Sequence, residues 1–166
     1  MQQVLGGFIP VHRCSYDSKW VMLRDHNLVP LSHQHHNALT LCVIVDRALG
    51  QSSTPPEVEV LARKVVERYD IELRNHFELE EQILFPAFPG PLTAALIDEH
   101  RQLEKLVSLV RTAPGPALLA EFTSLLRSHV RKEENELFEA VQREIPAETL
   151  ARLGTEIERR VVRVCL

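Results

Sequence analysis

Two copies of one sparse polar pattern constrain this chain more than any other feature. The first reads His76-Phe77-Glu78-Leu79-Glu80-Glu81 and runs on to Phe85, with Pro86 directly behind it; the second reads His129-Val130-Arg131-Lys132-Glu133-Glu134 and runs on to Phe138. In both, a histidine, two adjacent glutamates and a phenylalanine stand at identical offsets. The i, i+4 spacing places His76 with Glu80, and His129 with Glu133, one turn apart on a single helix face. That is the reach needed to grip one metal site from one helix.

Prolines and glycines divide the chain into helical lengths around this pattern. Residues 1–30 carry Gly6-Gly7, Pro10 and Pro30 with no sustained periodicity, and read as an N-terminal arm with a short helical turn near Trp20. His12, Cys14 and His26 on that stretch have no partners at ligand spacing and read as incidental. Ser32 is placed to cap a first helix running towards Gly50, with Leu39, Cys42, Val43 and Leu49 as its apolar face. A second helix starts at Pro56 and follows Val60, Leu61, Val65, Val66, Tyr69, Leu73 and His76 to Pro86. Leu92, Leu96, His100, Leu103, Val107 and Val110 mark a third, and Leu118, Leu119, Phe122, Leu125, Leu126, His129, Leu137 and Val141 a fourth. Ile145-Pro146 breaks the chain before a terminal amphipathic helix. Four long helices on short proline turns predict an all-α, antiparallel up-and-down four-helix bundle over residues 31–166, with the arm and the C-terminal helix outside it.

Composition sets the remaining limits. Hydrophobic residues are 45% and aromatics only 5% of the chain, so aliphatic side chains fill one core. A net charge of -4 gives no basic footprint for nucleic acid, despite the Arg159-Arg160 and Arg163 cluster near the end. No stretch approaches the roughly 18 apolar residues of a membrane span. The three cysteines, Cys14, Cys42 and Cys165, are widely spaced and form no CxxC pair. That excludes a thiolate metal site and fits a reducing, cytoplasmic setting.

Each predicted long helix places a histidine on its apolar side: His36, His76, His100 and His129. At 1.5 Å per residue, His76 and His100 lie about 14 Å on either side of their shared turn, and His100 and His129 about 18 and 21 Å from the next. These three therefore meet near one level, and the first helix, with His36, matches less closely. A pseudo-repeat accompanies them, since His36-Asn37-Ala38-Leu39 corresponds to His100-Arg101-Gln102-Leu103 and each precedes a His-x-x-x-Glu-Glu element. Through that correspondence His36 stands ahead of its neighbour His35; Glu133 is set ahead of the adjacent Glu134, which could take its role instead. Glu81, Arg131 and Lys132 read as solvent-facing charges. Histidine nitrogen with carboxylate oxygen suits iron, manganese or zinc, and two facing halves suit two ions.

In this order and spacing, over roughly residues 30–143, the chain resembles the hemerythrin-like (HHE cation-binding) family. The resemblance implies a non-haem diiron centre, with His36, His76, His100 and His129 as terminal ligands and Glu80 and Glu133 as bridges. One departure is visible: Leu96 stands where oxygen-carrying hemerythrins have a fifth histidine. His35, Glu81 or Glu104 could substitute, or a coordination position is left open to a small ligand such as dioxygen, nitric oxide or peroxide. Binding or sensing such a ligand is the favoured role. Reduction of peroxide or nitric oxide by an enzyme, and iron storage or donation for iron-sulfur repair, are the alternatives.

Overall fold

The computed structural model describes residues 24–51 and 54–164, and among them all regular structure is helical. Most of the expected arm, with His12, Cys14 and Trp20, and Cys165 at the other end lie outside the described residues. Helix α1 (Val29–Leu49) starts from Leu28 with Pro30 in its first turn, where a missing N–H costs nothing. The helix thus begins before Ser32, which the sequence had suggested as its cap. Ser32 instead lies within the first turn, and its hydroxyl donates to Glu134 at 2.8 Å.

Beyond Thr54, whose N–H donates to the Glu57 carboxylate at 2.6 Å, helix α2 (Pro55–Arg68) passes through a π turn (Tyr69–Leu73) into α3 (Arg74–Leu79). A second π turn (Glu80–Leu84) and a 3-10 turn (Phe85–Ala87) finish this rod. Helix α4 (Pro91–Thr112) returns, and α5 (Pro116–Lys132) follows. A third π turn (Glu133–Leu137) leads from α5 into α6 (Phe138–Glu144), and α7 (Ala147–Arg160) closes the order. No helix among the described residues is long and apolar enough to cross a membrane.

Two apolar clusters lie at opposite ends of these rods. One gathers Ala38, Cys42 and Val45 of α1, Leu61 and Val65 of α2, Leu103 and Val107 of α4, and Phe122 and Leu126 of α5. The other gathers Leu28, Leu31, Leu79, Leu84, Leu96, Phe138 and Val141, closed by Leu150 and Ile157 of α7. Each long rod contributes side chains to both clusters. α1 packs on α2 and α5, and α4 on α2 and α5. Each fully buried leucine contributes roughly 1.5–3 kcal/mol, which offsets the cost of the polar layer enclosed between the clusters.

The buried face of α1 keeps Cys42, with Leu39 and Leu49 packed against the core as expected, and departs from the expectation at Val43. Val43 is 61% exposed, while Ala38, Cys42 and Val45 are buried, and on α2 Val60 is exposed beside buried Leu61. For α1 the correction is a shift of the centre of the face towards Ala38, Cys42 and Val45, which leaves Val43 outside. Apolar residues occupy both sides of this helix, so its pattern alone does not choose between them.

Candidate metal centre

Between the two apolar clusters lies a layer of polar side chains from all four long rods. His35, His76, Glu80, His100, His129 and Glu133 are each at most 2% exposed. Their ligand atoms form two groups, His35, His76, Glu80 and Glu133, and Glu80, His100, His129 and Glu133, each within 4.8 Å. Both glutamates belong to both groups. His76, Glu80, His100, His129 and Glu133 are therefore brought together, whereas His36 is exposed and outside both groups. His35 takes its place. His36 lies on the same outer side of α1 as exposed Val43, so the correspondence that shares a buried face pairs His35-x-x-Ala38 with His100-x-x-Leu103.

The four rings point Nε2 inward. Nε2 of His35 is 2.9 Å from that of His76, and Nε2 of His100 is 3.1 Å from that of His129. Glu133 Oε2 lies 3.1 Å from His35 Nε2 and 3.2 Å from His129 Nε2, and Glu80 Oε2 lies 3.4 Å from both His76 Nε2 and His100 Nε2. Each outward Nδ1 faces an acceptor. His35 donates to Glu134 (2.6 Å), His76 to Gln34 Oε1 (3.1 Å), His100 to Glu81 (2.8 Å) and His129 to Glu99 (3.0 Å). With a ring proton on Nδ1, a neutral ring turns a nitrogen lone pair inward, towards the carboxylate oxygens of Glu80 and Glu133. None of the four oxygens of Glu80 and Glu133 has a hydrogen-bonding partner.

The π turns help to build this layer. Phe85 and Phe138 stand nine residues after His76 and His129, which in a regular helix would put them roughly half a turn away from the histidine. In each rod a wide i→i+5 turn starts at the inner glutamate, with the Phe85 N–H bonded to Glu80 and the Phe138 N–H to Glu133. The extra residue swings each phenylalanine back towards the ligand face. Phe85 consequently stacks on His100, with ring centroids 5.7 Å apart, and Phe138 on His35, at 5.2 Å. Phe77 stacks on the other side of His100 at 3.9 Å.

Electrostatics within the layer are in conflict. Burial holds His76 and His100 down to about 3. Burial also acts against charged His129, yet Glu133 and Glu99 outweigh it and raise that ring to about 9. Burial and the charge of Glu133 push Glu80 well above the usual carboxylate range. Glu133 is itself desolvated, but His129, His35 and His76 hold it well below that range. Two enclosed carboxylates repel each other unless positive charge lies between them, and divalent cations supply it. Four imidazole nitrogens and two carboxylates are a donor set suited to such ions.

The hemerythrin HHE cation-binding domain model matches residues 27–141. The chain belongs to the hemerythrin HHE family. Membership and the buried histidine and glutamate groups together point to metal binding. A Nostoc protein named DNA nickase is 24% identical over 144 residues, a match covering 81% of this chain and 39% of that protein. The chain thus spans well under half of that relative's length. No solved structure matches.

Sequence reasoning missed the outer partners of the rings. Glu81, expected in solvent, accepts from His100, and Glu134 accepts from His35 rather than joining the inner layer. Lys132, also expected in solvent, pairs with Glu99. Glu104 pairs with Arg101 on the surface, and Leu96 is fully buried and brings no ligand. A signal was present in the doubled glutamates: in a His-x-x-x-Glu-Glu element the first carboxylate turns inward and the second, about 100° further round, reaches the next rod.

Proposed function

We propose that this chain is a non-haem diiron protein of the HHE family that binds or senses a small ligand such as dioxygen, nitric oxide or peroxide. In this reading the four long rods form an antiparallel up-and-down four-helix bundle with α7 added as a C-terminal helix, and the protein works in the cytoplasm. The observation that carries it is the pair of fully buried carboxylates, Glu80 and Glu133, whose four oxygens have no hydrogen-bonding partner while four ring nitrogens converge on them. His35 and His76 would hold one ion, His100 and His129 the other, and Glu80 and Glu133 both. Bound iron would supply Lewis acidity and one-electron chemistry.

The protein's own contribution is orientation and exclusion. Glu134, Gln34, Glu81 and Glu99 fix the tautomer and direction of each ring, leaving every Nε2 free to donate. Phe77, Phe85 and Phe138 wall the layer, and the apolar clusters restrict bulk water. A site whose side chains are at most 2% exposed suits a diatomic or similarly small molecule, and its burial disfavours a nucleic-acid strand as the direct ligand. Leu96, one turn before His100, leaves fewer protein ligands than two six-coordinate ions require.

Protein purified anaerobically should contain about two irons per chain and should gain an oxo-bridge charge-transfer band on exposure to oxygen. Azide or nitric oxide should then perturb the spectrum. A single zinc per chain, or a spectrum unmoved by either ligand, would overturn this reading.

A further inference from the structure

The site has a pseudo-two-fold pattern, and it is broken at one charged position. Residues 34 and 35 correspond to 99 and 100, and His76, Glu80, Glu81 and Phe85 correspond to His129, Glu133, Glu134 and Phe138. Each outer contact has its counterpart: Glu81 accepts from His100 as Glu134 accepts from His35. The residue before the single histidine serves the other ring, so Glu99 accepts from His129 and Gln34 accepts from His76. One half therefore has two carboxylates behind its rings, and the other has a carboxylate and a neutral amide.

The amide at position 34 is required by what lies behind it. Its Nε2 donates to the Val162 carbonyl at 3.0 Å and to Asn75 Oδ1 at 3.2 Å. Asn75 Oδ1 also accepts from the Val162 N–H at 2.8 Å, and Asn75 Nδ2 donates to the Arg160 carbonyl at 3.1 Å. A carboxylate at 34 would oppose two acceptor oxygens. The chain beyond α7 thus selects glutamine, and glutamine sets the partner of His76. Arg101, Lys132 and Arg24 sit one each beside Glu81, Glu99 and Glu134 and even out the net charge, so what distinguishes the halves is the acceptor on the ring itself, a carboxylate behind His129 and an amide behind His76.

Resting on the two-ion reading above, we propose that the two metal positions are inequivalent and that the position held by His100 and His129 fills first. Glu99 and Gln34 are the positioning residues that set the order. A carboxylate that accepts the outer N–H raises the basicity of the metal-facing nitrogen and locks the ring, and loss of such a partner typically costs 10–100-fold in metal affinity. Phe77 favours the same half: it stacks on His100 at an interplanar angle of 17°, whereas its counterpart near the other half is Val130.

The test is a titration of the full metal-free chain with Co2+ alone, followed by visible ligand-field absorption through two equivalents. His76→Ala should keep the first, tighter step, and His129→Ala should lose it. Glu99→Gln should weaken the first step by roughly 10–100-fold, with the first ion's ligand-field band redistributed and the metal-free thermal midpoint little changed. This variant keeps the shape and a hydrogen bond, so it decides the matter even if a histidine variant fails to fold. A first step that survives His129→Ala but not His76→Ala, or one that Glu99→Gln leaves unmoved, would overturn the assignment of order. Absence of Co2+ binding by the unaltered protein would overturn the two-ion reading as well, and that outcome is distinguishable from the other two.

Discussion

Replacing Glu80 with leucine should make the metal-free protein more stable while removing its capacity for metal. Both Glu80 oxygens are buried without a hydrogen-bonding partner. Each unsatisfied buried acceptor costs roughly 1–3 kcal/mol, so the pair costs about 2–6 kcal/mol. Some of this is relieved by a proton, since burial and Glu133 push the Glu80 carboxyl well above its ordinary range. Leucine removes the polar atoms at similar volume, and imperfect shape returns up to about 1.5 kcal/mol. The expected net gain is about 1–4 kcal/mol in chelator, and each kcal/mol moves the midpoint by roughly 2–4 °C for a chain of this size. Thermal unfolding by circular dichroism, with and without metal, reads both effects. With metal the order should reverse, because an ion at about 1,000 times its dissociation constant adds roughly 4 kcal/mol to the unaltered protein. A Glu80→Leu variant that melts below the unaltered protein in chelator, or that retains its full metal content, would refute the view that this carboxylate is held in place for a cation.

His35→Ala should lower metal content sharply and His36→Ala should leave it near normal, as read by elemental analysis; the opposite result would restore the sequence-based assignment. In chelator, stability should fall as the pH drops below about 6.5, because the unfolded chain protonates His76 and His100 while the folded one holds both near 3. Each ring contributes up to roughly 1.4 kcal/mol per pH unit, and Glu80, whose carboxyl is pushed up by burial and by Glu133, acts in the opposite sense; urea unfolding that is flat from pH 6.5 to 4.5 would contradict this. Gly154→Ala should cost roughly 1–3 kcal/mol, since a methyl group there overlaps the Asn27 side chain packed against α7. An unchanged urea midpoint would show that this contact yields freely.

Much of the fold was legible without coordinates because helix periodicity and proline punctuation are local. The division into rods follows from short turns at Pro89-Gly90-Pro91 and Pro114-Gly115-Pro116, and His76 with Glu80, and His129 with Glu133, share a face through the spacing of one turn. Those five ligand candidates, counting His100, reach the buried layer as the pattern implied. Tertiary structure alone decided between His35 and His36. Neighbouring positions differ by about 100° around an axis, and α1 carries apolar side chains on both flanks of Cys42, Ala38 and Val45 on one and Leu39 and Val43 on the other. Only packing against α2 and α5 breaks that tie. The outer partners Gln34, Glu81, Glu99 and Glu134 were hidden for a related reason: each acts on a ring carried by another rod, and hydrogen bonds across 19 to 99 positions of sequence leave no local period to read.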